Sequence, residues 1–432
     1  MLLMAGRAPT TATRGVSIGR YFGGFFLPIL AGCSSGLVVG GSAAPDEETA
    51  ATENVIEDVG DAPRDSDAAD TDTDYGTFPL DDEGCPSYYA QDVLPEIALT
   101  FEPNELAALE VDRRNYQQNY HPAVFTYEGE TWEVMVRLRG NTWTPKYELS
   151  ISFNEIDPDG RFHGLRKVSL DGASYETTML RNRVAAWWFR QFGLPAYCVN
   201  NVKLTMNGAY FGLYSNTEDI DHEFIERNFP DDASGTNYKD GSTAKSNAEN
   251  SVAEHVTTWA TASDPNALAA VLDIDEVMLA WAAEAALPNT DGFVYGLHNY
   301  YLYDHPERGF VYIPSDLDFS FDGSQALDVQ PYTVDPLTYA RVGNGAQFVV
   351  FRNDPTWRAR YVRDIATVVG TMDADTLNAK WREWDSQIHE ALEADPNRAF
   401  TMSAHDQHVT DVQTFVERRV SFMREWVAAH PG

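Results

Sequence analysis

The chain has 432 residues, a formal net charge of −35 at pH 7, and 43% hydrophobic and 12% aromatic residues. So acidic a protein repels phosphate backbones, which argues against a nucleic-acid partner. It would attract a basic protein. The alternative is that the negative charge only keeps an exported protein soluble. The length and the aromatic content predict a large packed core in one or two lobes.

The first 33 residues are organised like an export signal. Arginines precede the apolar run 21–30, which is too short to span a membrane. Residues 30–33, Leu-Ala-Gly-Cys, resemble a bacterial lipoprotein box, which implies that Cys33 is lipidated; an ordinary signal peptide with a chance cysteine is the alternative. Ser34 implies the outer membrane, by resemblance to lipoprotein sorting in two-membraned bacteria. We therefore expect an exported protein that is lipid-anchored at the outer membrane or cell surface.

Residues 34–84 have the composition of a disordered linker. They contain fifteen acidic residues against one arginine and few large apolar side chains, so burial cannot offset the entropy of ordering them. Carboxylates at alternate positions in 65–74 also suit calcium, but this stretch lacks the glycine and the distal glutamate of an EF-hand loop. The folded body is therefore expected at 85–432.

The body begins with strand patterns and ends with helical ones. Strands are predicted at 96–101, 124–129, 131–140 and 147–154, with a short helix at 103–112. A helix at 177–193 precedes a hairpin over 198–218, whose turn is Asn207-Gly208. Apolar residues at helical spacing then predict helices at 277–287, 354–370, 373–392 and 411–430. This order predicts an α+β fold, with an N-terminal antiparallel sheet lobe at about 85–245 and a mostly helical C-terminal lobe at about 246–432.

Two cysteines, Cys85 and Cys198, remain beyond Cys33. An oxidising compartment would allow them to pair in a disulfide, and the sequence leaves open whether they do. There is no C-x-x-C pair, and the ten histidines show no metal-ligand spacing. Neither thiol redox chemistry nor a structural zinc site is therefore expected.

Residues 287–321 carry the strongest chemical signal. Asp291 follows the apolar helix, Asn299 starts a predicted strand, and a second strand delivers Asp316 and Asp318 at its far end. A hairpin would bring these groups together. In kinases, one aspartate accepts the proton of the substrate hydroxyl, while an asparagine and another aspartate hold magnesium ions. The alternative is that all four are turn residues facing solvent.

Four stretches in order resemble the CotH (spore coat protein H) kinase family, and the resemblance covers nearly all of 95–425. They are VRLRGNTW at 136–143, LTMNGAYFGLYSNTEDIDHEFI at 204–225, NYKDG at 237–241 and NYYLYDHPERGFVYIPSDLDFSF at 299–321. The resemblance implies an atypical two-lobed protein-kinase-like fold that uses ATP and Mg²⁺.

The same resemblance implies roles for individual residues. Asp291 would be the catalytic base and Asp316 the magnesium ligand, with Asp318 and Asn299 as further metal ligands. Ser315 departs from the family pattern, in which a tryptophan usually precedes the D-l-D pair, so a stacking role of that tryptophan is absent here or has moved.

Positive charge must meet the phosphates of a bound nucleotide, and the candidates lie in the sheet lobe. Arg137 and Arg139 are two residues apart on one strand, so both should address the same face, although Arg139 could equally brace the following turn. Lys146, beyond the turn at Gly140, is a third candidate, and Lys167, Lys203 and Lys239 compete for the same role. Glu218 is the candidate partner of Lys146, in an ion pair like that of kinases.

Standard catalytic motifs are absent, which narrows the choice of function. The chain has no G-x-x-x-x-G-K-[ST], H-R-D or D-F-G, and hydrolase motifs such as G-x-S-x-G and H-E-x-x-H are also missing. The main hypothesis is a CotH-type kinase that transfers phosphoryl groups from Mg-ATP to Ser or Thr of a protein, with basic, Ser-rich proteins as the expected substrates. The alternative is a non-catalytic surface or coat-structure protein on the same fold, because a lipoprotein beyond the inner membrane meets little ATP.

Overall fold

The computed structural model of the protein describes residues 77–140, 146–173, 176–321, 330–339 and 346–431. The expected export signal, Cys33 and most of the acidic linker lie outside these residues. In the described part of the chain, no helix is both long and apolar enough to cross a membrane.

Seven strands of the first half form a closed barrel. They are β1 (Glu96–Thr100), β2 (His121–Tyr127), β3 (Glu130–Leu138), β4 (Leu149–Ser152), β5 (Lys167–Asp171), β6 (Val199–Met206) and β7 (Ala209–Thr217). The strands pair in the order β1-β2-β3-β4-β5-β7-β6. All neighbours are antiparallel except β1 and β6, whose parallel pairing closes the barrel. The predicted sheet lobe is therefore present. Neither strand β5 nor the closure of the sheet into a barrel was predicted from the sequence.

The barrel forms because its strands alternate between buried and exposed side chains. In β2, Ala123 and Phe125 are buried while Val124 between them is exposed, the period expected of a sheet with one face on a core. The β6–β7 turn confirms the predicted hairpin. Asn207 and Gly208 have φ of 47° and 80°, the left-handed conformations that a tight two-residue turn requires.

A second sheet follows the barrel. Its strands are β8 (Asn237–Lys239), β9 (Thr243–Ser246), β10 (Tyr300–His305) and β11 (Gly309–Pro314), in the order β11-β10-β8-β9. The predicted lobe boundary near residue 245 falls inside this sheet, because β10 pairs with β8 across more than fifty intervening residues. The β10–β11 hairpin is the predicted one that delivers Asp316 and Asp318.

Helices make up most of the remainder. They are α1 (Pro103–Asn115), α2 (Arg181–Arg190), α3 (His222–Asn228), α4 (Ala253–Thr261), α5 (Pro265–Ala269), α6 (Ile274–Ala286), α7 (Phe293–Gly296), α8 (Ala346–Asn353), α9 (Pro355–Thr371), α10 (Ala374–Glu393) and α11 (Met402–Ala429). The last helix begins nine residues before the predicted 411, because the Thr401 side chain accepts the Ala404 N–H at its N-terminus and stabilises a polar first stretch.

One buried charge joins the end of α10 to the barrel. The Asp395 carboxylate accepts the N–H of Leu213 on β7 at 3.0 Å and pairs with the Lys146 ammonium at 2.5 Å. It also lies so close to Gly212 that a Cβ there would stand 2.6 Å from a carboxylate oxygen. Only glycine leaves room for this contact, and its φ of 150° is rarely adopted by other residues.

A disulfide also constrains the barrel. Cys85 and Cys198 form a disulfide between the segment before β1 and the start of β6. Both cysteines are fully buried. The barrel interior is a separate apolar core from the one shared by α2, α6, α9, α10, α11 and the second sheet.

Candidate active site

The loop after β11 carries two of the predicted metal ligands. Its middle residue, Leu317, is buried, and its N–H donates to Asn182 Oδ1 at 3.2 Å and to Tyr197 Oη at 3.0 Å. Asp316 has a left-handed backbone with φ of 49°. The loop is therefore fixed at its centre, while Asp316 on one side of Leu317 remains exposed and Asp318 on the other is half-buried.

The predicted catalytic aspartate lies in the turn between α6 and α7. Its N–H donates to Asn289 Oδ1 at 3.0 Å, and Asn299 donates its side-chain amide to the Asp291 carboxylate at 2.8 Å and to the Asp291 carbonyl at 3.1 Å. The Asn299 carbonyl in turn accepts the Ser315 N–H at 2.9 Å. Asn299 therefore links Asp291 directly to the loop that carries Asp316.

A buried carboxyl group, that of Glu284, stabilises the turn that carries Asp291. Glu284 on α6 accepts the Val294 N–H and the Tyr312 hydroxyl, each at 2.8 Å. Burial raises the pKa of Glu284 to about 7. A Cβ at Gly292 would stand 2.5 Å from its carboxylate, so a glycine directly after Asp291 is required for this contact.

The carboxylates of the site repel one another. Burial, followed by the negative charges of Asp171 and Asp291, raises the pKa of Asp316 to about 6, although Arg139 and Lys239 act in the opposite direction. Burial and the charges of Asp316 and Asp171 raise the pKa of Asp318 well above its ordinary value. The Asp316 side chain is nonetheless exposed at its surface, so protein packed around it and the like charges of its neighbours cause the shift. We call the region of Asp171, Asp291, Asp316 and Asp318 the cleft.

Asp171, at the end of β5, was missed by the sequence analysis. Its charge acts on Asp316, Asp318 and Arg139, and its carboxylate accepts the Ala173 N–H at 2.7 Å. The available signal was the Asp-Gly pair at 171–172, which follows the alternating segment Val-Ser-Leu at 168–170. The barrel brings this strand end to the β11 loop, and only the tertiary fold reveals that proximity.

Two of the predicted phosphate-binding residues are near the carboxylates. Burial alone would lower the pKa of Arg139, but the charges of Asp219, Asp171 and Asp316 raise it above its ordinary value. Lys239, at the end of β8, acts on Asp316 from the second sheet. The cleft therefore has positive charge on both its barrel side and its second-sheet side.

The other three predicted nucleotide ligands have different surroundings. Arg137 donates to Gln118 at 2.9 Å and lies over the Tyr120 ring, whereas Arg139 follows the end of β3 and faces the carboxylates. The predicted ion pair between Lys146 and Glu218 is wrong. Lys146 is buried and pairs with Asp395. Glu218 accepts the Cys198 N–H and is held by the Arg227 guanidinium of α3, whose fork suits a carboxylate better than a lysine does.

The donor set of the cleft fits a hard cation. Its ligand atoms are carboxylate and amide oxygens, which Mg²⁺ prefers. Among the described residues, the cleft carboxylates do not converge in threes within 4.8 Å. Mg²⁺ is commonly bound by one or two carboxylates and completed by phosphates and water. A cation would also relieve the repulsion that raises the pKa values of Asp316 and Asp318.

Comparison with known proteins gives the family. Residues 136–423 match the family model described as CotH kinase protein. The chain belongs to the CotH kinase family. No curated protein matches the chain. Among solved structures, a proinflammatory kinase of Helicobacter pylori, CtkA, is similar with 9% sequence identity and a TM-score of 0.32, over 72% of this chain and 92% of that one.

Membership in the CotH family assigns a kinase-like domain to most of the folded body. The matched range contains the barrel from the end of β3 onward, the second sheet and nearly all of the helices. All of the cleft residues lie within it. The fold is α+β, as the sequence predicts.

Proposed function

We propose that this CotH domain transfers a phosphoryl group from Mg-ATP to a Ser or Thr hydroxyl of a protein. The observation that carries the proposal is the position of Asn299, which contacts the Asp291 carboxylate and the backbone of the Asp316 loop. It unites a candidate base and a candidate metal ligand in one cleft, the two groups that phosphoryl transfer needs in fixed relation.

Each residue then has a distinct task. Asp291 orients the substrate hydroxyl and receives its proton as the oxygen bonds to the γ-phosphorus and ADP departs. Asn299 fixes the Asp291 carboxylate through the 2.8 Å hydrogen bond. Asp316 and Asp318 would hold Mg²⁺, which when bound neutralises charge on the phosphates. Arg139 and Lys239 would contact the phosphates from opposite sides of the cleft.

The substrate proposal follows from charge. A chain with a formal net charge of −35 steers basic partners toward itself, so we propose Ser-containing, Lys- or Arg-rich proteins as substrates. We also propose that the protein is exported and held at the outer membrane or cell surface by a lipid on Cys33. Replacing Cys33→Ser should release the protein from the membrane fraction, and unchanged membrane association would overturn the anchor.

The test uses calorimetry and a transfer assay on the purified full chain. Asp316→Ala should weaken Mg-ATP binding by at least about tenfold, since it removes a metal ligand. Asp291→Asn should leave binding nearly intact and lower transfer to a basic Ser-containing protein by roughly 10²–10⁴-fold, the usual contribution of a general base. Asp159→Asn, at an exposed loop position, is the matched control. Full transfer by Asp291→Asn, or failure of folded wild-type protein to bind Mg-ATP, would contradict the proposal.

A further inference from the structure

A second group of metal-ligating side chains lies outside the cleft, between α10 and α11. Among the residues that the structure describes, Asp385, His389 and His405 form a group of three whose ligand atoms all lie within 4.8 Å of one another. Asp385 and His389 are four residues apart on α10, so they share one face of that helix. His405 faces them from the first turns of α11. The sequence search for metal spacing missed this group because its third member is on the next helix.

The hydrogen bonds of His405 orient it as a ligand. Its ring is fully buried, its Nδ1 lies 3.0 Å from the Thr177 carbonyl oxygen, and its Nε2 lies 2.7 Å from Asp385 Oδ1. Because both neighbours are acceptors, the ring makes both hydrogen bonds only when Nδ1 and Nε2 are both protonated. A metal at this place would replace the Nε2 proton while Nδ1–H still donates to the carbonyl. A carbonyl that accepts the outer N–H of a histidine is the usual support of a metal-bound imidazole.

The remaining ligands can adjust. Asp385 and His389 are half-buried rather than enclosed, and the His389 ring lies 6.0 Å from the His405 ring. Tetrahedral zinc holds its ligand atoms about 3.3 Å apart, as follows from Zn–N distances near 2.0–2.1 Å. The ligand atoms need only small side-chain rotations to reach that spacing. Two imidazoles and one carboxylate suit Zn²⁺ and neighbouring transition metals, whereas Mg²⁺ prefers oxygen ligands alone.

The segment that supports His405 also borders the cleft. Thr177 follows Glu176, whose carboxylate accepts the N–H groups of Thr178 and Leu180 at 2.8 Å and so fixes the start of α2. The charge of Glu176 acts on Asp318 in the cleft. A cation on His405 would therefore tie the α10–α11 pair to the same segment that borders the active-site carboxylates.

We propose that Asp385, His389 and His405 bind a divalent transition metal, Zn²⁺ first among them, as a clamp between α10, α11 and the segment at Thr177. This site is independent of the proposed phosphoryl transfer. The competing arrangement is an ion pair between a protonated His405 and Asp385, which places a proton where the metal would lie. Metal binding distinguishes the two.

The experiment measures zinc bound by the full chain after removal of metals with a chelator, by equilibrium dialysis in millimolar Mg²⁺ so that oxygen-rich sites are filled. The wild type should bind one more equivalent of Zn²⁺ than His389→Ala, or bind it at least about tenfold more tightly. His389 is chosen because its removal leaves both hydrogen bonds of the buried His405 in place. His408→Ala, an exposed histidine on α11, is the matched control.

Cobalt provides a second readout. Co²⁺ bound by these three side chains should give visible absorption that Asp385→Asn and His389→Ala reduce and His408→Ala leaves unchanged. Zinc should also raise the melting temperature of the wild type and of His408→Ala, but not that of His389→Ala. Equal zinc affinity and stoichiometry in the wild type and His389→Ala would overturn the proposal, and so would an equal loss in His408→Ala.

Discussion

Replacing Lys146→Met separates a structural role from a nucleotide-binding role. Lys146 is 2% exposed. Its ammonium lies 2.5 Å from Asp395 Oδ2 and 2.6 Å from the Leu213 carbonyl oxygen. Removing one partner of a buried ion pair costs about 3–5 kcal/mol because the other charge is left uncompensated. Asp395 retains the N–H groups of Leu213 and Asn397, so we expect a loss near the lower end, about 3 kcal/mol.

The assay is urea unfolding of the full chain near neutral pH, with Mg-ATP binding measured on the same samples. The single variants Lys146→Met and Asp395→Asn and the double variant complete a cycle. We expect the double variant to recover at least about 1.5 kcal/mol of the summed losses, because it leaves neither charge unpaired. Nucleotide affinity of folded Lys146→Met should equal that of the wild type. A variant with normal stability and lost nucleotide binding would refute the reasoning and return Lys146 to the phosphate site.

Three further predictions concern the supports of the cleft. Burial raises the pKa of Glu284 to about 7 from 4.5. The folded protein is therefore most stabilised by protonated Glu284 below about pH 4.5, and about 3 kcal/mol of the free energy of unfolding is lost as the pH rises through 7. Glu284→Gln should remove this pH dependence from a series of urea unfolding curves. Cys198→Ser should lower the free energy of unfolding by about 4–5 kcal/mol, because the disulfide with Cys85 closes a separation of 113 residues. Reductant should bring the urea midpoint of the wild type to that of the variant. An unchanged midpoint would show that the disulfide does not stabilise the fold. Tyr197→Phe leaves the Leu317 N–H with one acceptor fewer and should cost about 1–2 kcal/mol, with weaker Mg-ATP binding as the sign that the Asp316 loop has shifted.

The sequence predicts the cleft best where its residues are close along the chain. Asp291, Asn299, Asp316 and Asp318 fall within one helix–hairpin unit, and the structure brings Asn299 against Asp291 and the β11 loop as the hairpin pattern suggests. Local signals suffice there, because a two-strand hairpin fixes its register through its own turn.

Contacts between distant parts of the chain could not be predicted in the same way. Asp171 reaches the cleft because β5 pairs with β4 and β7 in the barrel. Lys146 finds Asp395 across nearly the whole domain. No local sequence feature tells whether a lysine that follows a strand will pair with a buried carboxylate or with a phosphate. The outcome depends on which helix end packs over the lysine. The predicted lobe boundary at residue 245 cuts through the second sheet for the same reason, because β8 pairs with a strand far along the chain.

The contact of Asp395 with Gly212 and Lys146 bears on how the domain could be divided. A fragment that ended with β7 would keep Lys146 and Gly212. It would lose the Asp395 carboxylate that lies against both of them. Such a fragment would leave the Lys146 ammonium without its carboxylate partner and would uncover the barrel face on which α10 packs. The barrel is therefore not a transferable module. Any shortened version that keeps this ion pair has to extend past residue 395. A chain emerging from the ribosome has all seven barrel strands by residue 217 but can form the pair only after α10 has been made.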